Sequence, residues 1–387
     1  MPSQTIDSTP DATSDAGGSR QGASVSEINL GVVKDLRILN EDGQVNADLE
    51  PNIADDELLR LYRGMVLTRK LDVRMLNMQR QGQMGTFAPG LGQEATQIGQ
   101  VYPLTSKDWF SPSYRSFGAQ MWRGWPIDQL MLLWDGYFEG FAPPADVNDM
   151  PFSIVIGSHV PVAVGIAMGM NYQQDKNVVM VNFGDGALSE GAVAEALNFA
   201  AVYKAPVVFI CENNGYAIST PIEKQSGVDH LVRRGPGFGV PSVRVDGNDI
   251  LAMVSACSVA CEQARRGEGP TFIEAVTYRM SVHTTADDPK VYRDDAEQTA
   301  WEQKDPIRRF ELYLKSRGVL TDDDITRIGD ECEQEVLAGR ESFRERSTAN
   351  PHEIFAYMFE SMPPELREQQ AEYFERLARK GLSEPNQ

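Results

Sequence analysis

The chain has 387 residues, 41% of them hydrophobic, and no apolar run approaches the roughly 18 to 20 residues of a membrane span, which predicts a soluble chain with one large core or two moderate ones. Its 10 Lys and 26 Arg face 56 acidic residues, giving a formal net charge of −20 and a pI near 4.7 that weigh against a nucleic-acid partner. Scarce lysine on an acidic surface fits either a high-salt cytoplasm or an ordinary acidic protein.

Residues 1–27 lack both the apolar core of a secretory signal and the arginines of a transit peptide, and read as the disordered tail of a cytoplasmic protein. LRILNEDGQV reads as a strand entering a turn at Asp42-Gly43. Helical periodicity then begins near Asp55 and stops at Gly82. From 82 to 152, GLGQEA, SPSYRSF and FAPPADVNDMP predict loops able to line a site, with short helices between them. Beyond 157 the pattern regularises: a helix in GSHVPVAVGIAMGM, a strand in NVVMVNF, a helix in SEGAVAEALNFAAVY and a strand in APVVFICE. A strand near SVRV, a helix over 249–266 and a strand in PTFIEAVTY follow. This alternation predicts a three-layer α/β fold, a parallel sheet with helices on both faces. After 296 the chain turns charged and helical. Cys211, Cys257, Cys261 and Cys332 form no CxxC pair and have no His at ligand spacing, so neither a zinc site nor a disulfide framework is expected.

The string VVMVNFGDGALSEG sets Asp185 between two glycines where a buried strand gives way to helical sequence. Ligands of open parallel sheets bind beyond the carboxyl ends of the strands, and free N–H groups at a helix start attract a diphosphate. Gly184 and Gly186 permit close approach. The carboxylate would repel phosphate unless a cation lay between them, and magnesium commonly bridges protein oxygens to phosphate. A second oxygen donor is then expected from the next strand end. There ENNGYAIST supplies Asn213 and Asn214, the latter 29 residues after Asp185. The third glycine of a dinucleotide fingerprint is missing. A tight turn with Asp185 as helix cap is the plainer alternative.

GDG followed by NN resembles the thiamine-diphosphate and magnesium motif of thiamine-dependent enzymes. Together with RQGQMGTFAPGLGQEA, SPSYRSF, IGSHVPVAVGIAMG, ISTPIEKQ, RVDGND and TYRMSVHTTADDPKVYR, it makes most of the chain similar to alpha subunits of the decarboxylating component of 2-oxoacid dehydrogenase complexes. The resemblance implies the thiamine-diphosphate-binding fold as a single domain over 28–387, with helical N- and C-terminal extensions, the latter over 297–387. It implies Mg2+ ligation by Asp185, Asn214 and the backbone carbonyl of Tyr216. It also implies that thiamine diphosphate meets the amides of Gly186 and Ala187, the pair Tyr114 and Arg115, and main-chain groups of Ile154 and Ile156. His283 is implied as the catalytic residue of reductive acylation. Val282 stands where some relatives carry a second histidine, and Thr284 where some carry a phosphorylated serine. His159 reads as a packing residue, and Glu94 as one that orders its loop or a subunit contact.

In this family the glutamate that drives the cofactor's proton relay lies on a second α/β domain, which this chain's pattern does not contain. The implied partners are therefore a beta subunit, in an α2β2 heterotetramer, and a lipoyl-bearing acyltransferase component. The substrate is a small 2-oxoacid, oxidatively decarboxylated. GTFAPGLGQEA and ISTPIEKQ point to pyruvate. Branched-chain 2-oxoacids and acetoin are the alternatives, and a non-catalytic scaffold is the alternative of a different class.

Overall fold

The structure is a computed structural model that describes residues 33–347 and 350–381. The strands in chain order are β1 (Lys34–Leu36), β2 (Trp109–Ser111), β3 (Asn148–Asp149), β4 (Val179–Gly184), β5 (Val207–Asn213), β6 (Tyr216–Ala217), β7 (Thr220–Pro221), β8 (Ser242–Asp246) and β9 (Thr271–Val276). Seven of them form one sheet in the order β1-β8-β9-β5-β4-β2-β3, with every neighbouring pair parallel, while β6 and β7 make a separate antiparallel hairpin. The runs VMVNFG and VVFICEN are apolar on both faces because both faces are covered. Met180, Val208, Ile210, Ile273 and Ala275 point into one core; Val179, Val181, Val207, Phe209 and Phe272 point into the other.

The larger core is covered by α1 (Asp55–Arg80), α2 (Glu94–Val101), α3 (Phe117–Trp122), α4 (Ile127–Asp135) and the helices Ile250–Arg265, Pro306–Ser316 and Asp322–Arg346. The smaller is covered by α5 (His159–Tyr172) and α6 (Gly191–Val202). Helix α1 opens with Asp55, Asp56 and Glu57 against its positive N-terminus, and buries Leu58, Leu61, Met65, Thr68, Leu71, Met75 and Met78 at three- to four-residue spacing. Asp249 caps the helix Ile250–Arg265: one carboxylate oxygen accepts from Leu251 and Ala252 N–H, the other from Ile38 and Leu39 N–H at 2.7 and 2.6 Å. The RVDGND turn thus ties the segment after β1 to the sheet. Among the described residues, no helix is long and apolar enough to cross a membrane.

The expected parallel sheet, its order of strands and helices from 157 to 276, and the long helix ending before Gly82 are all present. The first strand lies earlier than LRILNEDGQV suggests. It ends at Leu36, and the rest of that string is a turn at Gly43 closed by a Leu39–Val45 bridge. Strands β2 and β3 were not expected, being too short to show a two-residue period. Asp185 opens a 3-10 turn, Asp185–Ser189, rather than a helix; α6 starts only at Gly191. The expected N-terminal tail lies outside the described residues. All four cysteines are buried and unpaired.

Candidate active site

Strands β4 and β5 are neighbours, with Gly184 opposite Glu212, so Asp185 and Asn214 leave adjacent strand ends together. They border a cavity of about 260 Å³. Tyr114, Arg115, Ile156, Asp185, Gly186, Ala187, Asn214, Tyr216 and His283 all line it. Ile154 does not; it is 62% exposed on the loop before α5.

Asp185 is 2% exposed, and burial raises its carboxyl pKa against the lowering influence of the Gln225 amide, which donates to Oδ2 at 2.9 Å. The Asn214 amide nitrogen donates to Gln93 Oε1 at 2.9 Å, which turns its Oδ1 the other way, where it accepts from Tyr216 N–H at 3.3 Å. Asn213 is still within β5 and is spent on Glu274, 2.8 Å away. The Tyr216 hydroxyl is held by Glu297 at 2.6 Å. A Cβ added to Gly186 would stand 2.9 Å from Ala217 Cβ, so the hairpin packs directly on that glycine. Gly215, with φ +86°, starts the hairpin in a conformation that favours glycine.

The same cavity also has cationic groups. Arg115, 5% exposed, donates to Pro89 O and to His283 O, and reaches His283 Nδ1 at 2.7 Å. Arg279 is fully buried; it reaches the same Nδ1 at 2.9 Å and donates to Ile218 O at 2.8 Å and to the Tyr292 hydroxyl at 3.0 Å. A guanidinium only donates, so Nδ1 is the acceptor and the imidazole proton sits on Nε2. Burial first, then Arg115 and Arg279, pushes the His283 pKa down to about 3, leaving the ring neutral at pH 7. The Arg279 pKa falls to about 10 through burial and the neighbouring Arg115 and Arg293. Arg279 Nε has no partner. The loop bearing His283 is pinned by Asp287, whose Oδ2 accepts from His283 N–H and from the Tyr292 hydroxyl at 2.7 and 2.6 Å.

Sequence reasoning missed Arg279, Glu212 and Gln225. Arg279 lies four residues before His283 in TYRMSVH, a spacing that carries no signal outside a regular helix. Glu212 lines the cavity and is buried; it accepts from Asn182 at 2.8 Å and Gln100 at 3.3 Å, and burial raises its pKa to about 7. Asn182 in turn accepts from Ser116 at 3.2 Å, linking the strand ends to the loop of Tyr114 and Arg115. His159 lines the cavity while its Nε2 meets Asn182 O at 2.7 Å; its Nδ1 is buried without a partner. Glu94 orders its loop, accepting from Gly92 N–H at 3.1 Å and from Arg69 at 2.8 Å.

The residues present fit a diphosphate held through a cation. The Asp185 carboxylate and the Asn214 amide oxygen, the glycines 184 and 186, and two buried guanidinium groups that make no direct ion pair among the described residues line one cavity. Among the described residues no group of three or more His, Cys, Asp and Glu side chains could hold a metal, so a cation here would depend on the single Asp185 carboxylate together with amide, carbonyl and ligand oxygens.

The family model described as "Dehydrogenase E1 component" matches residues 62–352. The chain is 42% identical over 335 residues to the pyruvate dehydrogenase E1 component subunit alpha of Acholeplasma laidlawii, spanning 85% of this chain and 96% of that one. It is 39% identical to the proteins of the same name from Staphylococcus epidermidis, over 88% of this chain and 93% of that one, and Bacillus subtilis, over 86% and 91%. The chain belongs to the dehydrogenase E1 component family, and that membership implies use of thiamine diphosphate.

Proposed function

We propose that this chain is the alpha subunit of a cytoplasmic, thiamine-diphosphate-dependent enzyme that oxidatively decarboxylates pyruvate and acylates the lipoyl group of an acyltransferase component. The observation that carries the reading is the convergence of Asp185 and Asn214, from adjacent strand ends, on a cavity also lined by Arg115, Arg279 and His283. The naming of its bacterial relatives supports pyruvate and the alpha role. Residues 28–387 are taken as one thiamine-diphosphate-binding domain, with 297–387 its helical extension.

Asp185, Asn214 and the Tyr216 carbonyl would hold Mg2+, and Gly186 and Ala187 N–H would meet the diphosphate. Arg115 and Arg279 supply fixed positive charge to that anion without reorganising, because their carbonyl contacts already lock them. Tyr114 flanks Arg115, whose guanidinium lies 5.2 Å from its ring. Main-chain groups of Ile154 and Ile156 would receive the pyrimidine end. Ile154, Val155 and Ile156 are 62, 69 and 44% exposed, an apolar rim that a beta subunit would cover in an α2β2 assembly, bringing the glutamate this chain lacks. When bound, thiamine diphosphate supplies the electron sink for decarboxylation. His283, neutral and protonated on Nε2, is arranged to donate a hydrogen bond at the acyl-transfer step, not to serve as a cation.

Turnover by the reconstituted alpha–beta pair, read as decarboxylation of pyruvate or 2-oxoisovalerate and as carbon–carbon cleavage of acetoin, tests the substrate. Pyruvate is expected to give the highest kcat/KM. A tenfold preference for 2-oxoisovalerate would overturn that assignment, and absence of saturable cofactor binding would favour a scaffold.

A further inference from the structure

Gln225 follows the hairpin that ends in β7, in the string STPIEKQ. Its amide nitrogen donates to Asp185 Oδ2 and to Thr220 O, both at 2.9 Å. Both neighbours are acceptors, so the amide can face them only through nitrogen, and its orientation is fixed. The carbonyl Oε1 therefore points away from them. It is buried, has no hydrogen-bond partner, and lies 3.9 Å from where a Cβ on Gly186 would be, against the glycine wall of the cavity. An amide with both donors spent and a buried acceptor orphaned is half of a network whose remaining donor is missing.

We propose that Gln225 is a positioning residue for the cation site. Its N–H holds Asp185 Oδ2, leaving Oδ1 to the cation, and its Oε1 accepts a hydrogen from a water coordinated to that cation. The inference rests on the reading of Asp185 as a cation ligand. Three features of the chain support it. Asp185 is almost fully buried, and among the described residues the Gln225 amide is its one side-chain hydrogen-bond donor, so the direction of its carboxylate depends on that amide. Magnesium keeps several waters when few protein ligands reach it, and such waters need acceptors. Thr220 O fixes Gln225 to the hairpin that also carries Tyr216, so the two implied ligands Asp185 and Tyr216 are set relative to one another through one amide.

The test measures the affinities of Mg2+ and Ca2+, separately, for the alpha–beta pair with thiamine diphosphate present, by calorimetry, for the wild type and for Gln225→Met, Gln225→Glu and Asp185→Ala. Magnesium demands near-ideal octahedral geometry, whereas calcium accepts six to eight ligands in flexible arrangements. Loss of positioning is therefore expected to weaken Mg2+ by about 10- to 100-fold in Gln225→Met and Gln225→Glu while weakening Ca2+ by less than about threefold. Equal losses for both ions would mean that Gln225 only supports the hairpin. Losses under about twofold for Mg2+ in both variants would remove any role at the cation. Asp185→Ala distinguishes this failure from failure of the underlying reading: if it too leaves Mg2+ affinity unchanged, Asp185 is not a ligand and both fall.

Discussion

Replacing Arg279 with Gln removes one of the two guanidinium charges packed on His283 Nδ1 while keeping an amide that can still donate. The Arg279 contact is 2.9 Å and the remaining Arg115 contact 2.7 Å. A unit charge about 4 Å from the ring is worth on the order of 4 kcal/mol at an effective dielectric constant of about 20, or roughly three pKa units. The ring is only partly buried, and the Asp287 carboxylate acts in the opposite sense, so the realised rise is smaller, about one to two units from the starting value of about 3. Because the folded-state pKa lies below the unfolded value of about 6.5, His283 contributes stability that is present above that value and lost as pH falls through the folded pKa. In Arg279→Gln the window of loss narrows to between about 6.5 and 4 to 5. The chain has four histidines, so selective 13C labelling with subtraction of a His283→Gln spectrum isolates one resonance. A rise below about 0.3 units, or a wild-type ring carrying its proton on Nδ1, would refute the reasoning.

A Cβ at Gly186 would stand 2.9 Å from that of Ala217 and push the hairpin off the cavity wall, so Gly186→Ala is expected to lower stability by about 1–3 kcal/mol and weaken cofactor retention tenfold or more. Calorimetry of the variant pair checks this, and unchanged retention would show that the hairpin's seat is irrelevant to binding. Outside the cavity lining, Asp149 joins Arg123 at 2.5 Å and accepts from Trp125 Nε1 at 2.8 Å, with side chains 3% (Arg123) and 0% (Asp149) exposed. Asp149→Asn strands the arginine charge and is expected to cost about 3–5 kcal/mol in urea unfolding followed by tryptophan fluorescence. A loss below about 1 kcal/mol would mean that Arg123 is solvated through Thr105 O and Asp108 O instead.

How much of this was legible in the sequence depends on the range of each interaction. Strands β4 and β5 were readable because both their faces are apolar, and β8 and β9 because their strand-like runs alternate with a helical one. The pairing of Asp185 with Asn214 followed from the rule that adjacent parallel strands expose their carboxyl ends together. Strands β2 and β3 were invisible: two or three residues carry no period, and their place comes from the partners β4 and β2. The 3-10 turn that opens at Asp185 was read as helix because both conformations suit small residues; no local pattern tells of the hairpin 216–221 that packs on Gly186. Gln225 and Arg279 matter through contacts 40 and 61 residues distant, or through His283, which Arg279 shares with Arg115, and no local pattern announces them. Ile154 shows the opposite case. Its resemblance-based role involves main-chain atoms, its side chain is exposed, and it lies outside the cavity lining.

The most direct measurement is calorimetric titration of thiamine diphosphate into the alpha–beta pair, with and without Mg2+, for the wild type, Asp185→Ala and Asn214→Ala. Saturable, magnesium-dependent binding is expected in the wild type, with at least a hundredfold loss in Asp185→Ala and a smaller one in Asn214→Ala, since removing a charged ligand costs more than removing a neutral one. Wild-type affinity in both variants, or binding indifferent to Mg2+, would contradict a cation held between the two strand ends.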